Sequence, residues 1–133
     1  MNSKTTNGVS SVAKKILITE DSPTMRSLIV STIQAMGDYE IIEAANGFEA
    51  LRELPRSQAD LVITDINMPD INGLELVSFI KTNDQYKDTP LFIISTEGSE
   101  RDRDKGMKLG ADAYLVKPFS PQELQDLIKR FLG

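Results

Sequence analysis

The 133-residue chain contains no cysteine and no histidine. Without cysteine there are no disulfides, no thiolate metal ligands and no cysteine nucleophile. Without histidine, the commonest general base, any Ser-His-Asp triad and any imidazole metal site drop out as well. Long apolar runs are also missing. Nothing approaches the roughly 18–20 residues that a membrane helix needs, and the opening MNSKTTNGVSSVAKK lacks the apolar core of a secretory signal. The expected compartment is therefore the cytoplasm, away from membranes. A basic excess is lacking too: 20 acidic against 15 basic residues leave a net charge of −5. That balance disfavours direct nucleic-acid binding, which needs a basic footprint. Any chemistry must come from carboxylates, hydroxyls, lysines and main-chain groups.

What is present describes an ordinary globular protein, 40% apolar and 26% charged, of a length that suits one domain with its own core. Residues 1–13 are rich in Ser, Thr, Asn and Gly and show no periodicity, so a disordered tail is expected there and a single folded domain over 14–133. Five short apolar runs follow: Lys15–Thr19, Tyr39–Ala44, Leu61–Thr64, Leu91–Ser95 and Ala113–Val116. Several are continuously apolar, as strands buried on both faces are. Between them lie helical patterns. Ser22-Pro23 offers an N-cap and a first-turn proline, and Met25, Leu28, Ile29, Thr32, Ile33 and Met36 recur at helical spacing. Further helices are expected over Gly47–Leu54, around Leu76, Val77 and Ile80, and over Glu100–Leu109 with Gly110 ending it. Ser120-Pro121-Gln122-Glu123 opens the last as a capping box, with Leu124, Leu127, Ile128 and Phe131 on one face. Five strand–helix pairs in strict alternation imply an α/β fold with a parallel sheet and helices on both faces; at this length the natural choice is a flavodoxin-like, doubly wound five-stranded sheet of order 2-1-3-4-5, with five helices.

Ligands on such sheets bind beyond the carboxyl ends of the strands. There the first strand ends in Glu20-Asp21, the third in Asp65, the fourth in Ser95-Thr96 and the fifth in Lys117-Pro118. Each is unremarkable alone, since an acid after a strand is often a cap or turn residue. Together they are hard to read as solvated surface. Three converging carboxylates repel one another and call for a hard cation with oxygen ligands, Mg²⁺ above all. A phosphoryl group on Asp65 could then meet the metal, the Lys117 ammonium, the Ser95 hydroxyl and main-chain N–H groups of the following loop.

ILITEDS, LVITDINMPDINGLEL, LFIISTEGSE and GADAYLVKPF resemble the motifs of the receiver domain of bacterial response regulators, in particular the single-domain CheY-like proteins, over residues 15 to about 132. The resemblance implies that Asp65 accepts a phosphoryl group from a histidine of a sensor kinase or histidine phosphotransfer protein. It implies that Glu20, Asp21 and Asp65 hold Mg²⁺ together with the Asn67 backbone carbonyl, that Lys117 pairs with the phosphate and that Ser95 is the switch hydroxyl. Tyr114 would swing with that switch; a half-buried edge tyrosine is the plainer alternative. Asn67 and Glu97 would tune dephosphorylation, and the Lys117–Pro118 bond would be cis. A target protein would dock on the face built from the fourth helix, fifth strand and fifth helix, as a monomer or a phosphorylation-dependent dimer. The fourth helix is nearly all charged, with only Met107 and Leu109 apolar; it reads as a solvated helix, but one that could also move at low cost. The protein would not be an enzyme beyond phosphorylating itself from small donors and dephosphorylating itself. Chemotaxis is one pathway that fits.

Two departures leave the needed groups in place: Glu20 where the family more often has Asp, and Ser95 where Thr is commoner. A relay intermediate that hands its phosphate to another histidine, or a pseudo-receiver that binds without phosphate, are the alternatives inside the family. A dehalogenase-type phosphatase would want a second Asp at position 67, which is Asn67. A flavin or nucleotide module would want a phosphate loop where Glu20-Asp21 stands.

Overall fold

Most strands form where apolar residues cluster, and most helices where a capping side chain starts a 3.6-residue stripe. In the computed structural model of the chain, which describes residues 13–96 and 100–133, the strands are β1 (Lys14–Thr19), β2 (Tyr39–Ala44), β3 (Leu61–Asp65), β4 (Leu91–Ser95) and β5 (Ala113–Val116). The helices are α1 (Pro23–Gln34), α2 (Gly47–Ser57), α3 (Gly73–Thr82), α4 (Glu100–Lys108) and α5 (Pro121–Leu132). All pairings are parallel and the order is β2-β1-β3-β4-β5, the expected 2-1-3-4-5. Apart from Ala13, the expected tail lies outside the described residues, as does Glu97.

The sheet separates two cores. On one face Ile16, Ile18, Ile63, Phe92 and Ile94 meet Ile29 and Ile33 of α1 and Leu124 and Ile128 of α5. On the other, Leu17, Val62, Leu91 and Ile93 meet Ala50 and Leu54 of α2 and Leu76, Val77 and Ile80 of α3. β3 and β4 are buried along their whole length, which is why their sequences do not alternate.

Capping fixes where the helices begin. The Ser22, Asn46, Asn72 and Ser120 side chains each accept from a first-turn backbone N–H, and Asn72 and Ser120 form capping boxes with Glu75 and Glu123. Three details differ from the sequence pattern. Leu28 belongs to the α1 stripe but is exposed; it lies at the stripe's edge, and Ile29 and Ile33 fill the core instead. α2 runs through Pro55 to Ser57; the proline is exposed and near the end, and buried Leu54 and Ser57 hold the last turn to the sheet side. Met107 on α4 and Leu109 just past it are both exposed, and the one buried residue of α4 is Gly106. The backbone there comes so close to β4 that a Cβ on Gly106 would lie 2.5 Å from Ile93 Cδ1.

Candidate functional site

Asp65 closes β3 and is buried. The chain behind it recoils at once. Gly73 N–H donates to the Ile66 carbonyl at 2.9 Å, and Asp70 takes a left-handed φ of 67° in the turn between them. α3 therefore starts directly over the Asp65–Ile66 backbone. A Cβ at Gly73 would lie 2.7 Å from Ile66 Cα and collide with the Asp65 carbonyl.

Glu20, just past β1, is 1% exposed, and each of its polar groups has its own partner. Its N–H donates to the Ala44 carbonyl at 3.0 Å, and its carbonyl accepts from Arg26 Nη1 at 2.6 Å. Its carboxylate accepts from Ser22 N–H at 3.1 Å and from Lys117 Nζ at 2.7 Å. Asp21 is exposed. Carboxylate oxygens of Glu20, Asp21 and Asp65 all lie within 4.8 Å of one another.

Lys117 follows β5, its backbone N–H donating to the Ser95 carbonyl at 2.8 Å. The Lys117–Pro118 bond is cis. The buried ammonium lies 2.7 Å from Glu20 Oε1 and 3.5 Å from Asp65 Oδ1. So the lysine that the resemblance assigns to phosphate rests first on Glu20, whose arm is one methylene longer than that of Asp.

One ammonium against three carboxylates leaves the cluster negative, and Asp65 registers it. Its pKa is raised from 3.8 to about 6, first by burial and then by the Glu20 carboxylate, with a smaller push from Asp21. Lys117 and the Asn67 backbone N–H pull the other way. Oxygens of an octahedral Mg²⁺ shell, with bonds of about 2.1 Å, stand roughly 3–4 Å apart. The three carboxylates need close only a little to reach that spacing, and their uncompensated charge and all-oxygen donor set fit a hard divalent cation.

Ser95 ends β4 fully buried, one position beyond the residue paired with Asp65, so it stands at the same sheet edge. Asn67 is exposed in the loop after Asp65. Tyr114 pairs with Ile93 across β4 and β5 and is partly buried against the core that α2 and α3 cover. Ile93 is also the residue under Gly106, which puts Tyr114 beside the α4 contact. Two contributors escaped the motif reading. Gly73 was hidden because a need for space shows only in the fold. Arg26 left a signal: it is the one charged residue in α1.

A family model described as "Response regulator receiver domain" matches residues 16–129. The chain belongs to this family. Among curated relatives, a "Chemotaxis protein CheY homolog" of Campylobacter jejuni is 38% identical over 120 residues, covering 90% of this chain and 92% of that protein. The "Chemotaxis protein CheY1" of Helicobacter pylori is also 38% identical, covering 90% and 97%. Among solved structures, the chemotaxis protein CheY4 of Vibrio cholerae superposes with a TM-score of 0.83 at 37% identity, covering 90% of this chain and 99% of that one. The receiver domain of a Pseudomonas aeruginosa sensor histidine kinase, which has a magnesium ion coordinated in its active site cleft, superposes with a TM-score of 0.83 at 26% identity, covering 92% and 99%.

Proposed function

We propose that the chain is a phosphoacceptor response regulator of two-component signal transduction, with residues 14–133 as the receiver unit. The observation that carries this reading is Asp65, buried at a strand end with Glu20 and Asp21 within 4.8 Å and the Lys117 ammonium at 3.5 Å. In the reaction, the ionised Asp65 carboxylate attacks phosphorus, an O–P bond forms, and the N–P bond of a phosphohistidine on the partner kinase or phosphotransfer protein breaks, its electron pair returning to the imidazole. Bound Mg²⁺, held by Glu20, Asp21, Asp65 and the Asn67 carbonyl, would supply positive charge opposite the transferred oxygens. The chain's own residues position and neutralise. Lys117 shifts from Glu20 toward a phosphoryl oxygen, Ser95 donates its hydroxyl to another, and loop N–H groups such as that of Asn67 complete the shell.

Hydrolysis in the same site resets the switch, with Asn67 and Glu97 governing how water enters. Beyond taking phosphate from small donors and losing it to water, the domain is not an enzyme. Ser95 closing on phosphate would bias an existing equilibrium of Tyr114 and α4, and the α4–β5–α5 face would engage a target protein in the cytoplasm. Among the described residues no helix is long and apolar enough to cross a membrane. The curated relatives named above are chemotaxis proteins, and chemotaxis is the pathway we favour.

Incubation with acetyl phosphate and Mg²⁺, followed by intact mass, tests the reading. One phosphoryl adduct is expected, absent in Asp65→Asn and in chelator. If fluoroberyllate as well as acetyl phosphate leaves the folded protein unchanged, the switch reading fails and a phosphate-independent binding module replaces it.

A further inference from the structure

Arg26 sits one turn into α1, and its guanidinium joins two elements. Nη1 donates to the Glu20 carbonyl at 2.6 Å, and Nε donates to Glu43 of β2 at 3.1 Å. The side chain is 19% exposed, while that of Glu43 is half exposed. A single surface ion pair contributes little to stability, so Arg26–Glu43 alone gives no reason to place the only cation of α1 here. The bond to Glu20 does.

The Glu20 carbonyl and the Asp21 N–H are two ends of one rigid peptide plane. The Glu20 side chain is already fixed by Lys117 and Ser22. Asp21 is different. It is exposed, and among the described residues its carboxylate has no hydrogen bond or ion pair. What orients it is the plane from which it hangs, and that plane is gripped by a charge-assisted bond from Arg26. Glu43 holds the other arm of the fork, so the grip is anchored on the neighbouring strand.

We propose that Arg26 is a positioning residue for the divalent-cation site, fixing the Glu20–Asp21 peptide and through it the Asp21 carboxylate. This inference rests on the Mg²⁺ reading above and adds a part to it. The position carries an unusual sign. Arg26 is a cation bonded to the backbone of an acidic cluster, so by Coulomb's law alone its removal should tighten Mg²⁺ binding. A positioning role demands the reverse, because removal frees the exposed ligand to wander, as loss of groups that orient metal ligands does elsewhere.

The experiment is calorimetric titration of Mg²⁺ into the full chain and its Arg26→Gln and Arg26→Lys variants, with metal-free thermal unfolding of each. Arg26→Gln should bind Mg²⁺ about ten-fold more weakly. Arg26→Lys should fall between, since an ammonium keeps a donor and the charge but not the two-armed fork. A merely structural role would lower the metal-free Tm and leave the Mg²⁺ dissociation constant alone. A constant that is unchanged or tighter in Arg26→Gln overturns the proposal. If that variant does not fold, Arg26→Lys decides, and a constant within about two-fold of wild type overturns it. Wild-type protein that takes up no Mg²⁺ overturns the site reading and this inference together, whereas normal wild-type binding with unaltered variants overturns this inference alone.

Discussion

The proposed phosphoryl transfer needs Asp65 as an anion, yet burial and the Glu20 carboxylate raise its pKa to about 6. The group thus binds its proton more tightly folded than unfolded. Its ionisation costs stability at neutral pH, and that cost is relieved as pH falls from about 6 toward the ordinary value of 3.8. In the metal-free protein, Asp65→Asn should therefore raise stability at neutral pH, by about 1–2 kcal/mol once the lost Lys117 contact is allowed for. Urea unfolding in chelator measures the gap, which should narrow as the buffer is acidified toward pH ~4.5. A less stable variant at neutral pH, or a gap that widens in acid, would contradict the burial account. The acids themselves were readable because a strand end is a place the sequence can mark. The resting place of Lys117 on Glu20 was not, because it depends on how the glutamate and lysine arms meet over the ends of the two strands between β1 and β5.

At the scale of elements, strands and caps follow from local chemistry, and close approaches do not. Ser22 and Ser120 announce their helices; nothing local announces that Gly106, rather than Met107 or Leu109, is the residue on which α4 rests. Two glycines separate two kinds of tightness. At Gly73 the obstacle is backbone, the Asp65 carbonyl and Ile66 Cα, and neither can yield without moving the loop after Asp65. Gly73→Ala should cost at least about 2 kcal/mol and slow phosphorylation of Asp65. At Gly106 the obstacle is the tip of the Ile93 side chain, which can rotate, and alanine regains about 1 kcal/mol of helix propensity. Gly106→Ala should stay within ~1 kcal/mol of wild type. Denaturant unfolding of both variants checks the contrast, and equal costs would refute it.

For the whole molecule, strict β–α alternation pointed to a parallel sheet covered on both faces, and the length of the chain selected the 2-1-3-4-5 order among the few windings that right-handed crossovers leave. The site inherits that topology. Glu20 and Asp21 follow β1, Asp65 ends β3 and Lys117 follows β5, so the carboxylates stand together only when the sheet is assembled. A cation that bridges them binds the folded chain and not the unfolded one, and stabilises it by RT ln(1 + [Mg²⁺]/Kd). Each ten-fold rise in Mg²⁺ above Kd then adds about 1.4 kcal/mol, or roughly 3–6 °C in Tm for a domain of this size. Scanning calorimetry over a Mg²⁺ series should show that climb as one unfolding transition moving intact. Asp21→Asn, which removes charge from an exposed ligand and disturbs no buried contact, should flatten the climb while leaving the metal-free Tm nearly unchanged. A Tm indifferent to millimolar Mg²⁺ in wild type, or an equally steep climb in Asp21→Asn, would mean that the three carboxylates do not act as one cation site.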